Sequence, residues 1–217
     1  MSKIEIILGD CLEVMKNYPD NYFDLVLTDP PYGIDVIDKT YQNKKTKPGK
    51  ALAHKTVYEK LDWDREIPTK EVFTEMMRVS KNQIIFGGNY FVEYLSNSPC
   101  WIVWDKNNGE NDFADRELAW TSFKSAVRRK LYTWNGMIQH DMKNKEQREH
   151  PTQKPLPLMR WCLEKYSKEG DKILDPFAGS GTTLRAAKDM GRDCVGIEIN
   201  PTYVEIIKQR ERQEVLL

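Results

Sequence analysis

The chain has 217 residues, 40% of them apolar and six of them tryptophan, which is enough for one domain (1–217) with a sizeable core. Its 33 basic and 33 acidic residues cancel, so bulk charge announces no nucleic-acid partner and any basic surface must be local. No apolar run is long enough to cross a membrane, and Met1-Ser2-Lys3-Ile4 opens without a signal-peptide core.

Cys11, Cys100, Cys162 and Cys194 make no Cys-x-x-Cys, and His54, His140 and His150 have no ligand spacing. The pattern predicts neither a disulfide framework nor a metal site. Isolated cysteines fit a reducing cytoplasm.

In chain order, Ile4 to Leu8 reads as a buried strand closed by Gly9-Asp10, and Cys11 to Tyr18 as a short helix ended at Pro19. Phe23 to Thr28 is the next strand. Residues 34 to 60 show no period and form a long basic loop, with no acid between Lys39 and Tyr58. The spacing predicts a helix over Thr69 to Ser80, with Val72, Phe73, Met76, Met77 and Val79 inward. Strands follow at Gln83 to Phe86, stopped by Gly87-Gly88, and at Trp101 to Trp104. Glu117 to Phe123 and Lys130 to Trp134 read as a hairpin-like pair, and 135 to 150 as polar loop. Leu156 to Tyr166 is helical, Lys172 to Leu174 a strand, Thr182 to Met190 a helix, Cys194 to Ile197 a strand and Tyr203 to Arg212 a helix. Alternating strands and helices predict an α/β fold with a largely parallel, doubly wound sheet.

Two segments carry chemistry. In Asp29-Pro30-Pro31-Tyr32-Gly33 a strand ends on two prolines, which cannot donate to a ladder and fix their own φ. Asp29 and Tyr32 are thereby held beyond the strand's carboxyl end, where ligands of open α/β sheets bind. A carboxylate, backbone carbonyls and an aromatic face together suit a flat base with an exocyclic amine. Alone, the segment reads equally as a strand closed by a proline turn.

The second segment, Asp175-Pro176-Phe177-Ala178-Gly179-Ser180-Gly181-Thr182, follows a strand and opens a helix. Its glycines permit a tight turn and close approach by a ligand. Leu184 stands where the dinucleotide fingerprint has its third glycine, which favours a nucleoside without pyrophosphate. Glu198 ends the following strand, where an acid can accept from ribose hydroxyls, and Asp10 ends another, where it can accept from an adenine amine. The plain alternatives are a helix cap for Asp10 and an exposed strand-end carboxylate for Glu198.

These segments, with Gly9-Asp10-Cys11, Phe86-Gly-Gly-Asn89 and His150-Pro-Thr-Gln-Lys154-Pro155, resemble the DNA amino-methyltransferases over nearly the whole chain. That family moves a methyl group from S-adenosylmethionine to adenine N6 or cytosine N4. The proline segment precedes the glycine turn, as in the circularly permuted β group, so the resemblance implies a Rossmann-like methyltransferase sheet. It places Asp10, Cys11, Asp29, Asp175, Phe177, Gly179, Ser180, Gly181, Thr182, Glu198 and Asn200 at the cofactor. It takes Thr152 and Lys154 to the methionine carboxylate. Asp29 and the Pro30 carbonyl would accept from the target amine, and Tyr32 would stack on the flipped base. Trp120 or Phe123 is a candidate second wall, although large aromatics such as Trp120 more often fill cores. Asp rather than Ser at position 29 leans toward adenine, with cytosine N4 the first alternative. An RNA or protein amide methyltransferase and a non-catalytic cofactor-binding scaffold are the others.

For double-stranded DNA, local charge is the candidate grip: Lys44, Lys45 and Lys47 in the basic loop, and Lys124, Arg128 and Arg129 within a short recognition region at about 105–150. The resemblance also implies a bacterial or phage type of protein, with a homodimer and a paired restriction endonuclease as partners.

Overall fold

The computed structural model describes residues 2–34, 66–109, 114–135, 138–146, 149 and 152–212. Among them the order is β1 Ile4–Leu8, α1 Cys11–Met15, β2 Phe23–Thr28, α2 Lys70–Val79, β3 Ser80–Phe86, β4 Trp101–Asp105, β5 Arg116–Thr121 and β6 Arg128–Leu131. Then come β7 Trp134–Asn135, β8 Ile138–Gln139, α3 Leu156–Tyr166, β9 Lys172–Asp175, α4 Thr182–Asp189, β10 Asp193–Glu198 and α5 Pro201–Arg212.

Eight strands make one sheet in the order β1-β10-β9-β2-β3-β5-β4-β6. Every neighbouring pair is parallel except the two made by β5. The expected doubly wound sheet is therefore present. β2 is buried along nearly its whole length, and its residues alternate between two layers. Leu25 and Leu27 join the cluster formed with α3, α4 and α5, whereas Val26 joins that of α1 and α2.

Several local expectations change. The first helix stops at Met15 because the Asn17 side-chain amide takes the Glu13 and Val14 carbonyls, competing with further helical turns. In α2, Val72, Phe73, Met76 and Val79 are buried, while Met77 lies half-buried at the edge of the stripe. The hairpin-like pair does not form. β4 lies between β5 and β6, antiparallel to one and parallel to the other. Six residues, 122–127, separate those strands, more than a tight hairpin uses, and they carry the chain past β4. Within the stretch expected as loop, β7 and β8 pair antiparallel.

The topology positions the site. β9 leads through α4 to β10 on one side, while β2 leads on to β3 on the other. The strand order reverses between β9 and β2, and a crevice opens beyond their carboxyl ends. Thr28 Oγ1 donates to Asp175 Oδ1 at 2.7 Å and ties the two strand ends together.

Candidate active site

A cavity of about 680 Å³ occupies this crevice, within the range of pockets that enclose a small organic ligand. Asp10 and Cys11 after β1, Asp29 and Pro31 after β2, the turn after β9, and Glu198 to Asn200 after β10 line it, together with Thr152 to Lys154. Of the expected cofactor residues, Gly181 alone is not in the wall. It caps α4 at φ +80°, and a Cβ there would stand 2.8 Å from the Ile207 side chain, so its glycine serves the turn and the packing of α5.

On the β9–β10 side the carboxylates are held by main-chain amides. Glu198 Oε2 accepts from Gly179 N at 2.8 Å and Oε1 from Asn200 N at 2.9 Å. Each oxygen keeps a further lone pair for a ligand hydroxyl. Burial raises this carboxyl above its usual range against those two bonds. Asp10 is the helix cap of its plain alternative, with Oδ1 accepting from Leu12 N and Glu13 N, and it still faces the cavity. Asn200 accepts from Thr202 N and opens α5 in the same way. Asp175 is pushed up to about 6 by burial, although Thr28 and the Phe177 amide bond to it. Burial and Asp10 push the Cys11 thiol up to about 12, which keeps it from being a thiolate nucleophile at neutral pH.

The β2 side is held by side chains. Asp29 Oδ1 accepts from the Tyr32 hydroxyl at 2.5 Å and Oδ2 from Lys154 Nζ at 2.6 Å. Lys154 is only 6% exposed and lies 3.1 Å from Glu117 Oε2, while Glu117 Oε1 meets Lys106 Nζ at 2.5 Å. The result is a chain of alternating charge, Asp29–Lys154–Glu117–Lys106. Burial raises Asp29 above the usual carboxylate range against the pull of Lys154. Burial acts the same way on Glu117, but two lysines outweigh it and hold that carboxyl low. Burial works against the Lys154 charge, yet its two carboxylates carry the ammonium above its ordinary value.

Lys154 lines the cavity as expected, but there it is not a free cation, because the Asp29 and Glu117 carboxylates and the Tyr32 hydroxyl already surround it. Lys106 and Glu117 escaped the sequence reading. The available signal was Glu117 itself, a charge beside the buried run Ala119-Trp120-Thr121 in a strand flanked on both sides. Because β5 is the antiparallel strand, its amino end reaches the carboxyl-end face where the cavity lies.

Tyr32 stacks on Tyr90, with ring centroids 4.8 Å apart and planes at 14°. Gly87, at φ +68°, makes room for the ring, since a Cβ there would come within 2.1 Å of it. The walls expected from Trp120 and Phe123 are elsewhere. Trp120 is buried and donates to Ser96 O, and Phe123 packs on Tyr166 at 4.7 Å. Both fill space in the body of the fold, as large aromatics commonly do.

Lys44, Lys45 and Lys47 lie outside the described residues. Lys124, Arg128 and Arg129 are exposed. Adjacent strand residues point to opposite faces, so Arg128 and Arg129 cannot present one joint patch. Arg129 pairs with Asp105 at 3.0 Å. Among the described residues no helix is long and apolar enough to cross a membrane, and no cluster of His, Cys, Asp or Glu is placed to hold a metal ion.

Known proteins place this geometry. A family profile for N6/N4 enzymes, described as DNA methylase, matches residues 93–209, over half the chain. The type II methyltransferase M.HpaI of Haemophilus parainfluenzae is 28% identical over 94% of this chain and 73% of its own. M.HinfI of Haemophilus influenzae is 25% identical over 96% and 68%. The M1.HpyAVI–SAM complex superposes with a TM-score of 0.60 at 24% identity, covering 97% of this chain and all of that one. The cytosine-N4-specific PvuII DNA methyltransferase gives 0.62 at 16% identity, covering all of this chain and 89% of that one. The chain belongs to the S-adenosylmethionine-dependent N6/N4 DNA amino-methyltransferases.

Proposed function

We propose that this chain methylates adenine N6 in double-stranded DNA, on a base flipped out of the duplex. The observation that carries the reading is Asp29. Its carboxylate lies in the wall of the same cavity as the glycine turn and Glu198, at the switch point of the sheet. The fold is shared with a cytosine-N4 enzyme, so the fold does not choose the base. Aspartate in the proline segment supports adenine.

The residues present fit the methyl donor. A cleft-shaped cavity, a carboxylate fixed by two amides and the Phe177 ring suit a nucleoside. S-adenosylmethionine supplies a methyl group on a sulfonium centre. Glu198 would hold ribose hydroxyls and Asp10 the adenine amine. With Lys154 committed elsewhere, the donor's carboxylate falls to Thr152 and the first turn of α4, whose cap residue lends its amides no side chain.

At the target, an exocyclic amine is a poor nucleophile because its lone pair is delocalised into the ring. Asp29 Oδ1 and the Pro30 carbonyl, accepting from its two N–H bonds, favour a pyramidal nitrogen. Holding the two reactants in line then supplies much of the rate. Tyr32 is the platform for the base. Its stack on Tyr90 leaves no gap for a third ring between them, and Gly87 and Lys154 also pack on the Tyr32 ring, so the base takes the place of Tyr90.

DNA recognition falls to the segment after β5, since 116–121 forms a strand inside the catalytic sheet. Lys124, Arg128 and Arg129 are exposed cations there, Arg129 paired with Asp105, and Lys44, Lys45 and Lys47 from the basic loop join them. A second copy of the chain belongs to the same reading and is checked by sedimentation with and without duplex. A companion restriction endonuclease is checked by cleavage protection of DNA from expressing cells.

The test is transfer of labelled methyl to duplex DNA, followed by nucleoside analysis. Label in N6-methyladenine is expected, and Asp29→Ala should abolish it. Label in N4-methylcytosine would overturn the choice of base. Label in RNA or protein alone would overturn the substrate class, and no transfer to any of them would leave a cofactor-binding scaffold.

A further inference from the structure

We propose that Glu117, which lies outside both motif segments and outside the cavity wall, is a positioning residue for methyl transfer that acts on Asp29 through Lys154. The inference rests on the reading of Asp29 as the acceptor for the target amine.

The argument begins with the geometry of Asp29. One oxygen is held by Lys154 Nζ at 2.6 Å, and the other by the Tyr32 hydroxyl at 2.5 Å. An incoming amine must use Oδ1, displacing or sharing with Tyr32, because Oδ2 faces the ammonium. A full positive charge on Oδ2 alone would drain the carboxylate and make it a weak acceptor. Glu117 prevents this. Its Oε2 lies 3.1 Å from the same Nζ, so the ammonium is divided between two carboxylates. Lys106, 2.5 Å from Glu117 Oε1, limits in turn how much of Lys154 Glu117 can claim. The balance is set among side chains from four separate segments, Lys154 buried and the other three largely so, where charges interact strongly.

The other groups that bear on Asp29 are few. Tyr32 donates to it, Asp175 at the end of β9 lies close enough to feel its charge, and Tyr90 lies behind Tyr32. Phe86, 5.4 Å from Lys154 Nζ, closes the cluster with an apolar ring. Burial already raises Asp29, while the two lysines keep Glu117 low, so Glu117 is the lasting anion and Asp29 the one poised to vary.

Two isosteric changes with opposite expected signs form the test. Glu117→Gln returns the whole ammonium to Asp29. The acid limb of the kcat profile should move to lower pH by about one unit, and the plateau kcat should fall roughly tenfold. Lys106→Met frees Glu117 to claim more of Lys154, so the limb should move to higher pH. In both variants the KM for S-adenosylmethionine should stay within about twofold, since neither residue reaches the cavity.

A merely structural role would lower kcat without moving the limb, or move it the same way in both; either result overturns the inference. If Glu117→Gln does not fold, the shift in Lys106→Met decides alone, and an unmoved limb there overturns it. Asp29→Ala run alongside separates the two levels. If it retains transfer, the reading of Asp29 fails. If it is inactive while both variants keep the wild-type limb, only the role of Glu117 fails.

Discussion

The two walls of the cavity are built differently. On the β9–β10 side, Glu198 and Asp10 are fixed by backbone amides, all within three residues except Gly179 N, 19 positions from Glu198 on the neighbouring turn. On the β2 side, Asp29 is fixed by a lysine 125 positions distant, itself fixed by a glutamate from another strand. Main-chain donors cannot swing or lose a proton, so the first wall is a rigid mould suited to a constant ligand. Side-chain ions exchange partners, so the second wall can release a carboxylate oxygen to an incoming base.

If this contrast is right, the largest stability loss comes from the side-chain wall. Lys154→Met leaves Asp29 and Glu117 facing each other without their shared cation. Removing one member of a buried ion cluster should cost about 3–5 kcal/mol in denaturant unfolding. A loss below about 1 kcal/mol would mean that the cluster is solvated and holds little.

Next is a pH effect beneath the glycine turn. Asp175 titrates at about 6 in the folded chain because burial disfavours its charge, against 3.8 when exposed. A folded pKa above the unfolded one means the folded state binds the proton more tightly. The resulting stabilisation is full below pH 4 and lost as pH rises through about 6. At about 1.4 kcal/mol per pH unit this amounts to about 3 kcal/mol. Asp175→Asn cannot ionise, so wild type should lose that much relative to the variant between pH 4 and 7. Parallel stability curves would show that Asp175 is not buried as a charge.

Glu198→Ala removes a charge-assisted acceptor from the rigid wall. It should weaken S-adenosylmethionine by about 1.5–3 kcal/mol, roughly ten- to hundredfold, as read by calorimetry. Arg129 lines neither wall. Its pair with Asp105 is 63% exposed on the arginine side, so in Arg129→Ala unfolding stability should move by no more than about 1 kcal/mol. If that change alone weakens duplex binding, Arg129 leaves Asp105 for a phosphate.

The same contrast explains which parts of the site are legible in the sequence. The rigid wall was legible because its parts are local. Asp175 to Thr182 is one turn, and Glu198 ends the next strand along the sheet. The doubly wound order followed from alternating strands and helices. Asp29 and Tyr32 were legible from two prolines. Their partners were not, since Lys106, Glu117 and Lys154 meet only after β5 inserts antiparallel between β3 and β4. No period or spacing encodes that insertion. The hairpin expected around residue 125 failed for the same reason, because a strand from earlier in the chain takes the middle place. Trp120 stays open between core and pocket wall in the sequence, because a tryptophan that fills a core and one that walls a pocket look alike in a linear chain.

The central claim is that donor binding and target activation belong to separate walls. Calorimetric titration of Asp29→Ala with S-adenosylmethionine, beside single-turnover methyl transfer on duplex DNA, tests it directly. The account predicts a dissociation constant within about twofold of wild type and transfer reduced by roughly 10²–10⁴-fold or more. Transfer near the wild-type rate, or cofactor affinity lost as severely as in Glu198→Ala, would contradict it.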